Sequence, residues 1–288
     1  MFSRVYVEIG NICNLSCSFC SGTKRKAEQM PLSHFSLICR SLVGHTENLF
    51  LHVMGEPLLH PELPEMIDVA ADFGMRVHIT TNGTLLGDVG DALVDRAEKI
   101  ARVSISLHAP EGNGDESRID GYLDSVIGFA KRFSERGGYS VFRLWNLDGD
   151  AKGKRSANGR IEDALRREYG GEWIKRYSGF RIGKNTFLEY DGAFVWPSES
   201  EADSVEIGTC HALRSQIAIL VDGTVVPCCL DAEGLMPLGN ILESPLEQIL
   251  TSKRAGEMKR GFERGRLTET LCQKCTYARR FKPKGEKK

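Results

Sequence analysis

The chain opens with an alternation of apolar and other residues that is typical of a strand. In "RVYVEIG", Val5, Val7 and Ile9 occupy every second position, and this period places successive side chains on opposite faces of a strand. Short apolar runs return in "NLFLHV", "RVHIT", "RVSISL" and "YSVFRLW". The sequence therefore predicts further strands at residues 48–53, 76–80, 102–107 and 139–145.

The segments between these strands have the apolar spacing of amphipathic helices. Strands that alternate with helices indicate βα units and a parallel sheet. The predicted fold class is therefore α/β, a partial (β/α)6 TIM-like barrel. The predicted helices cover residues 33–43, 60–73, 88–99 and 120–135, and the last of them ends at Gly137 and Gly138.

The pattern changes near residue 205. "SQIAILVDGTVVPCC" predicts a β-hairpin with its turn at Asp222 and Gly223, and "SPLEQILTSKRAGEMKRGFERG" has a helical pattern. We expect two domains, a barrel core over residues 1–204 and a small α+β extension over residues 205–288 with a basic tail. Residues 147–160 are rich in Gly, Lys and Arg and predict a surface loop or, alternatively, a mobile lid.

Composition narrows the function classes. The formal net charge of −1 gives no signal for nucleic-acid binding. The first residues do not resemble a signal peptide, and no apolar run is long enough for a membrane span, so we expect a cytoplasmic protein. Disulfides are rare in that reducing compartment. Eight of the nine cysteines are clustered, which favours metal binding. Cys39 stands alone in the apolar helical pattern "HFSLICRSLV", which predicts a packing residue.

The first cluster is "CNLSCSFC", which contains Cys13, Cys17 and Cys20. Positions i, i+4 and i+7 can share one helix face, so ordinary packing is an alternative. The Gly, Asn and Ser residues around them are poor helix formers and favour a loop. In βα folds, loops after the strands carry the chemistry, so the three thiols are candidate ligands.

Three thiolates on a cubane cluster leave one iron without a protein ligand. The C-x3-C-x2-C spacing after a first strand, with Phe19 before the last cysteine, resembles the radical S-adenosylmethionine superfamily. This resemblance implies that Cys13, Cys17 and Cys20 bind a [4Fe–4S] cluster. It also implies that the open iron chelates the amino and carboxylate groups of S-adenosylmethionine.

The resemblance extends to residues that would bind the cofactor. Gly55 and Glu56 of "MGEP" match the motif whose backbone holds the methionyl amine, and a glycine allows close backbone approach. Later positions also lie in cofactor-binding regions of the family, although a turn, core packing, a helix cap or a buried ion pair would explain each of them. These positions are Asn82, Ser106, His108 and Arg143.

The C-terminal cysteines resemble the twitch form of the SPASM extension. The resemblance implies one auxiliary [4Fe–4S] cluster bound by Cys210, Cys228, Cys272 and Cys275. Cys229 is the rival of Cys228, because neighbours in a strand face opposite ways, and the Gly-x4-Cys spacing favours Cys228. A structural Zn²⁺ site is the alternative for the four thiolates.

The implied activity is reductive cleavage of S-adenosylmethionine to a 5′-deoxyadenosyl radical, which abstracts hydrogen from a small-molecule or nucleoside-like substrate. The auxiliary cluster would make the net reaction an oxidation, and flavodoxin or ferredoxin would supply electrons. Glu189, Tyr190 and Trp196 are candidate substrate contacts, unless they only pack in a strand.

Two alternatives of other classes stay open. One is a maturase of a ribosomally made peptide, whereas a short peptide bound directly is a further substrate for the first activity. The first motif begins at residue 13, so we expect no leader-binding domain before it. The other is a zinc-stabilised binding module without turnover.

Overall fold

The computed structural model describes residues 1–109, 119–145, 156–192, 196–198, 203–278 and 281. The chain forms two compact units. The first unit comprises Met1–Asn11, Gly22–Gly55 and Val195–Lys288, and the second comprises Ile12–Ser21 and Glu56–Phe194. The division into domains at residue 204 stays a prediction.

The first unit contains a mixed sheet with the strand order β11-β10-β9-β1-β2. β1 pairs in parallel with β2 and with β9, whereas β10 is antiparallel to β9 and β11. The β9–β10 pair is the predicted hairpin, and Gly223 in its turn has a φ of 87°. The strands are β1 (Arg4–Val7), β2 (Asn48–Phe50), β9 (Gln216–Ile219), β10 (Thr224–Val226) and β11 (Gly239–Asn240).

Helices of the first unit follow the predicted apolar faces. α1 (Leu32–Leu42) buries a stripe with helical spacing that includes Cys39, which is a packing residue. The single helical pattern predicted after residue 244 is instead two helices, α6 (Leu246–Leu250) and α7 (Lys253–Glu263). The second helix starts anew because the Ser252 side chain caps the amide of Ala255. α8 (Thr270–Gln273) follows near the end.

The second unit contains the parallel strands β3, β4, β5 and β8, extended by antiparallel β7 and β6. Together with the parallel β1 and β2, the alternation of strands and helices is that of a partial TIM-like barrel, and the predicted α/β class is confirmed. The strands are β3 (Arg76–Thr81), β4 (Ile100–Ser106), β5 (Ser140–Leu144), β6 (Ile174–Arg176), β7 (Gly179–Arg181) and β8 (Thr186–Tyr190).

The second unit's helices correct several predicted boundaries. The helix predicted over residues 88–99 spans Leu86–Val94. Pro57–Leu59 form a separate 3-10 turn, so α2 starts at residue 63 rather than 60. Residues 147–155 of the predicted loop or lid lie outside the described part, whereas residues 156–160 begin a helix, so the loop prediction is wrong there. The helices are α2 (Leu63–Asp72), α3 (Leu86–Val94), α4 (Ile119–Glu135) and α5 (Ser156–Tyr169).

Candidate functional site

The cysteine motif forms a loop in the second unit. Cys13 and Cys20 are exposed and Cys17 is half-buried. The Cys20 amide donates to the Cys17 carbonyl at 3.0 Å, and the Leu15 amide faces the Cys13 sulfur at 3.5 Å. The segment is not helical, which agrees with the predicted loop and disagrees with the helix-face alternative.

Glu56 anchors this loop to the end of β3. Its amide donates to the Ile12 carbonyl at 2.8 Å, directly before the first cysteine. Its buried carboxylate accepts the Thr81 hydroxyl at 2.7 Å, the Asn82 amide at 2.7 Å and the Leu58 amide at 3.0 Å. Burial raises the pKa of this carboxyl, and the three donors oppose that shift. The side chain of Glu56 is thus occupied in positioning the loops.

Asn82 joins a closed set of side-chain hydrogen bonds next to the motif. Its Nδ2 donates to Asn14 Oδ1 at 2.9 Å and faces the Cys13 sulfur at 3.9 Å. Asn14 Nδ2 donates to the Thr84 hydroxyl at 2.9 Å, and that hydroxyl donates to Asn82 Oδ1 at 2.7 Å. The predicted residue Asn82 therefore lies against the cysteine loop. Asn14 and Thr84, which complete the ring, were missed because isolated polar loop residues have no distinctive sequence signal.

Tyr122 of α4 connects the backbone at two of the predicted positions, Asn82 and Ser106. Its hydroxyl donates to the Asn82 carbonyl at 2.8 Å and faces the Ser106 carbonyl at 3.3 Å. Burial, with smaller contributions from Glu56 and Cys17, raises the pKa of this phenol, so the hydroxyl remains a donor. Sequence reasoning missed Tyr122, because a tyrosine in an amphipathic helix usually indicates core packing.

The helices identify the two faces of the second unit's sheet. The Phe142 ring lies 6.4 Å from the Tyr169 ring of α5, centroid to centroid. The Tyr190 hydroxyl donates to Glu162 of α5 at 2.8 Å. Tyr190, a candidate substrate contact, therefore faces the helices and has a structural partner there.

The opposite face has three half-buried polar residues in one row. Ser106 pairs in register with Arg143, and Arg143 pairs with Glu189. Because side chains alternate along a strand, these three lie on the face that Phe142 does not use. The Arg143 guanidinium lies over the Trp145 ring at 4.4 Å. Two predicted cofactor residues and a candidate substrate residue are thereby neighbours.

His108 lies just beyond this row. It is buried, its Nδ1 is 3.2 Å from the Arg143 carbonyl, and its ring is 4.7 Å from that of Phe19 in the cysteine loop. Burial lowers the pKa of His108, and the contact with the Arg143 carbonyl partly offsets that shift. The neutral imidazole is therefore favoured.

Gly55 is described within the first unit. Its φ is 82°, a backbone conformation that favours glycine. The amide of the preceding Met54 donates to Glu8 at 3.1 Å. The backbone of the motif is thus held by a carboxylate that the sequence analysis did not single out, although Glu8 is the only acidic residue in its apolar strand pattern.

The four candidate auxiliary cysteines are all buried in the first unit. Burial raises the pKa of Cys228 and Cys272. Cys229, Cys272 and Cys210 raise the pKa of Cys228 further, and Cys210 and Cys275 raise that of Cys272. Such thiols lose their protons together only when a cation compensates their charges. The donor set therefore fits an iron–sulfur cluster.

Cys229 has different surroundings. Together with Trp196, it packs against a buried apolar cluster that includes Tyr6. Burial raises its pKa to about 11, although a hydrogen bond with Tyr6 acts in the opposite direction. The candidate substrate contact Trp196 is likewise part of this apolar packing.

The part of the chain that the structure describes lacks two kinds of feature. Within it, no three His, Cys, Asp or Glu side chains are gathered as they would be around one metal ion. None of its helices is both long and apolar enough to cross a membrane.

Sequence comparison decides the family. The model of the Radical SAM superfamily matches residues 7–153, which is more than half of the chain. The chain belongs to the radical SAM superfamily. A second match, to the SPASM iron-sulfur cluster-binding domain, covers residues 210–276. Membership of this superfamily implies a [4Fe–4S] cluster that binds S-adenosylmethionine, and the SPASM match implies auxiliary iron–sulfur in residues 210–276.

Curated relatives of this radical SAM protein share parts of it. The probable GTP 3',8-cyclase of Metallosphaera sedula is 34% identical over 137 residues, which are 46% of this chain and 42% of that protein. The chain thus spans less than half of that cyclase. The sporulation killing factor maturation protein SkfB of Bacillus subtilis is 23% identical over 277 residues, covering 88% of this chain and 66% of that protein.

Solved structures share the fold. BtrN in complex with AdoMet and 2-DOIA has a TM-score of 0.61 at 20% identity, covering 96% of this chain and 93% of that one. Streptococcus suis SuiB bound to S-adenosylmethionine has a TM-score of 0.61 at 16% identity, covering 96% of this chain and 71% of that one.

Proposed function

We propose that this radical SAM enzyme abstracts hydrogen from a small-molecule or nucleoside-like substrate in a net oxidation. The observation that carries the proposal is the arrangement around the cysteine loop. Glu56 and Asn82 link that loop to the end of β3, at the strand edge where βα folds place their chemistry. The similarity to GTP 3',8-cyclases and to BtrN with 2-DOIA supports this substrate class.

The proposed ligands of the first cluster are Cys13, Cys17 and Cys20. When bound, the cluster supplies one electron that cleaves S-adenosylmethionine to methionine and a 5′-deoxyadenosyl radical. The Gly55 backbone would approach the methionyl group, since its left-handed conformation has no side chain to obstruct a ligand. Glu56 positions the loops rather than the ligand.

The row formed by Ser106, Arg143 and Glu189 would orient the cofactor and substrate. Ser106 and His108 would lie near the ribose and carboxylate, and Arg143 would pair with a carboxylate. Asn82 keeps the cysteine loop in place through Asn14. A reacting radical has to be protected from competing hydrogen donors.

For the auxiliary cluster we propose Cys210, Cys228, Cys272 and Cys275 as ligands. The burial of all four thiols supports this set, and the packing of the less buried Cys229 against the apolar cluster of Tyr6 supports Cys228 over its neighbour. The cluster would accept the electron released on oxidation of the substrate. A cytoplasmic flavodoxin or ferredoxin would reduce the enzyme.

A second candidate function is the maturation of a ribosomally made peptide. The match to SkfB, named a maturation protein, extends over 88% of this chain. The fold is also similar to SuiB, of which one structure is bound to the precursor peptide SuiA. A short peptide would use the same radical chemistry.

The proposal is tested by anaerobic reduction of the reconstituted protein with dithionite and S-adenosylmethionine. We expect the wild type to release 5′-deoxyadenosine, and Cys13→Ala, Cys17→Ala and Cys20→Ala to release none. Cys39→Ala removes a buried thiol from the apolar face of α1 and serves as the control that keeps activity. Normal 5′-deoxyadenosine formation by any of the three loop variants contradicts the assignment.

The two substrate classes are separated by isotope transfer. Deuterated nucleotides and other deuterated small molecules, 2-DOIA among them, are incubated in one series, and deuterated short peptides in the other. We expect deuterium to enter 5′-deoxyadenosine only from the small molecules. Transfer only from peptides would establish the maturase alternative.

A further inference from the structure

Glu8 has an unusually complete set of donors for a buried carboxylate. It follows β1 and is 0% exposed. Arg25 donates to both of its oxygens, at 2.7 Å and 2.6 Å. The Met54 amide donates to one oxygen at 3.1 Å and the Val221 amide to the other at 3.1 Å. A charge that is buried and fully hydrogen-bonded in this way fixes the groups around it.

Arg25 makes one further contact that reaches the SPASM segment. Its Nε donates to the Ala232 carbonyl at 2.8 Å. The amide of the preceding Lys24 faces both carboxylate oxygens of Glu233, at 3.1 Å and 3.3 Å. Lys24 and Arg25, which follow the first cysteine loop, are therefore hydrogen-bonded to residues 232–233.

Residues 228–236 form a hydrogen-bonded turn between two candidate auxiliary ligands. The Asp231 amide donates to the Cys228 carbonyl at 3.2 Å, and its buried carboxylate accepts the amides of Leu235 and Met236, both at 2.8 Å. The Met236 sulfur lies 3.8 Å from the Cys272 sulfur. A displacement of Cys228 or Cys272 would therefore move this turn.

We propose that Glu8 and Arg25 are positioning residues that couple the auxiliary site to S-adenosylmethionine binding. The turn contacts the Arg25 guanidinium through the Ala232 carbonyl. Arg25 in turn binds the Glu8 carboxylate, which accepts the Met54 amide directly before Gly55. The proposal rests on the proposed function, in which the Gly55 backbone contacts the cofactor. When Cys228 and Cys272 are held by their cluster, the turn is fixed and the Met54–Gly55 backbone stays in the binding conformation.

A buried ion pair suits this role because it resists partial displacement. Moving the guanidinium away would leave the carboxylate uncompensated, so Glu8 and Arg25 move together or not at all. Coupling of this kind is reciprocal in binding free energy. Loss of the auxiliary site should therefore weaken S-adenosylmethionine binding even when no reductant is present and no turnover occurs.

The test is a double-mutant cycle on the dissociation constant of S-adenosylmethionine, measured by equilibrium binding without reductant. The four reconstituted proteins are the wild type, Cys272→Ala, Arg25→Lys and the double variant. Lysine keeps the positive charge but lacks the planar fork that reaches Glu8 and Ala232 together. In the otherwise wild-type protein, we expect Cys272→Ala to raise the dissociation constant of S-adenosylmethionine about five-fold. In the Arg25→Lys background, the same change should raise it less than about two-fold.

Equal weakening in both backgrounds would overturn the coupling, and so would unchanged affinity in Cys272→Ala itself. Arg96→Lys is the matched control, because Arg96 makes a similar fork with Asp68 in the second unit. Cys272→Ala should still weaken binding about five-fold in that background. Binding in all four proteins with no coupling would leave the proposed function intact, whereas no binding by the wild type would contradict the proposed function.

A second measurement does not depend on the folding of an Arg25 variant. Hydrogen exchange of the peptides that contain Met54 and Val221 is compared between the wild type and Cys272→Ala, both without S-adenosylmethionine. We expect these amides to exchange about three-fold faster or more in the variant, since their acceptor is less firmly held. Unchanged exchange at both amides would overturn the proposal.

Discussion

At the scale of single residues, the site depends on side chains that hold backbone groups. Glu56 binds two amides and a hydroxyl, and Tyr122 binds the carbonyl of Asn82. Asn82 is therefore fixed through its amide, its carbonyl and its side chain. Loops held in this way present ligands with little conformational freedom to lose on binding.

Tyr122→Phe removes one hydroxyl and little else. We expect a loss of about 1–2 kcal/mol in the free energy of unfolding, because the carbonyl of Asn82 loses its donor. The affinity for S-adenosylmethionine should also fall. Urea unfolding and equilibrium binding measure the two effects. Tyr139→Phe, at a tyrosine that is 45% exposed, is the control and should change neither. Equal effects of both variants would contradict the role of Tyr122.

The buried His108 predicts a pH dependence. Its pKa lies below the ordinary 6.5, first because of burial. As the pH falls below about 6.5, the unfolded chain binds a proton that the folded chain does not, so the stabilisation present above this pH is lost on acidification. We expect urea unfolding between about pH 7 and pH 5.5 to show a steeper loss for the wild type than for His108→Gln. Parallel pH profiles would contradict this.

At the scale of elements, the turn after β3 is closely packed beside the cysteine loop. Gly83 has a φ of 80°, and a Cβ there would lie 2.8 Å from Ile105 and 3.0 Å from both Tyr122 and Val126. The turn therefore joins β3, β4 and α4 in one packed cluster. Its conformation determines the direction in which Asn82 approaches the cysteine loop.

Gly83→Ala should therefore be costly for two reasons. The left-handed conformation costs about 1 kcal/mol, and the overlap adds about 1–3 kcal/mol. Gly74→Ala separates the two effects, because Gly74 has a φ of 76° and no atom lies within 4 Å of its added Cβ. Urea unfolding should show a clearly larger loss for Gly83→Ala. A loss equal to that of Gly74→Ala would show that the cluster adapts.

At the scale of the whole molecule, segments distant in sequence meet at the SPASM region. The candidate ligands of the auxiliary cluster come from residue 210, the end of the β9–β10 hairpin and the last helix. A metal site that closes a long loop stabilises the folded protein, because it lowers the conformational entropy of the unfolded chain. The C-terminal third should therefore depend on its cluster.

Cys272→Ala tests this dependence. We expect the iron content to fall from about eight to about four atoms per chain and residues 205–275 to become more accessible to proteolysis. The variant should still form 5′-deoxyadenosine, slowly and without product. Cys229→Ala is the matched control and should keep full iron. Full iron in Cys272→Ala, or a loss of iron in Cys229→Ala, would show that the ligands are misassigned.

The sequence by itself determined the features that depend on neighbours along the chain. The alternation of strands and helices predicted the barrel, Gly223 predicted the hairpin turn, and the spacing of three cysteines predicted the family. The apolar pattern of each strand or helix, the turn residue and the cysteine spacing each lie within a short stretch of sequence, where periodicity and turn chemistry act directly. Cys39 was likewise recognisable as a packing residue from its helical pattern.

Only the tertiary structure decided which polar groups meet. Glu8 accepts a hydrogen bond from Val221, which lies 213 positions away in the sequence, and Tyr122 donates one to Asn82, which lies 40 positions away. The tertiary structure also places Tyr190 on the face that the helices cover, whereas its neighbour Glu189 lies on the opposite face. A glutamate or tyrosine has the same local signal whether it binds a distant amide or faces solvent. Its partner is selected by the packing of the whole chain, because burial makes an unpaired polar group costly.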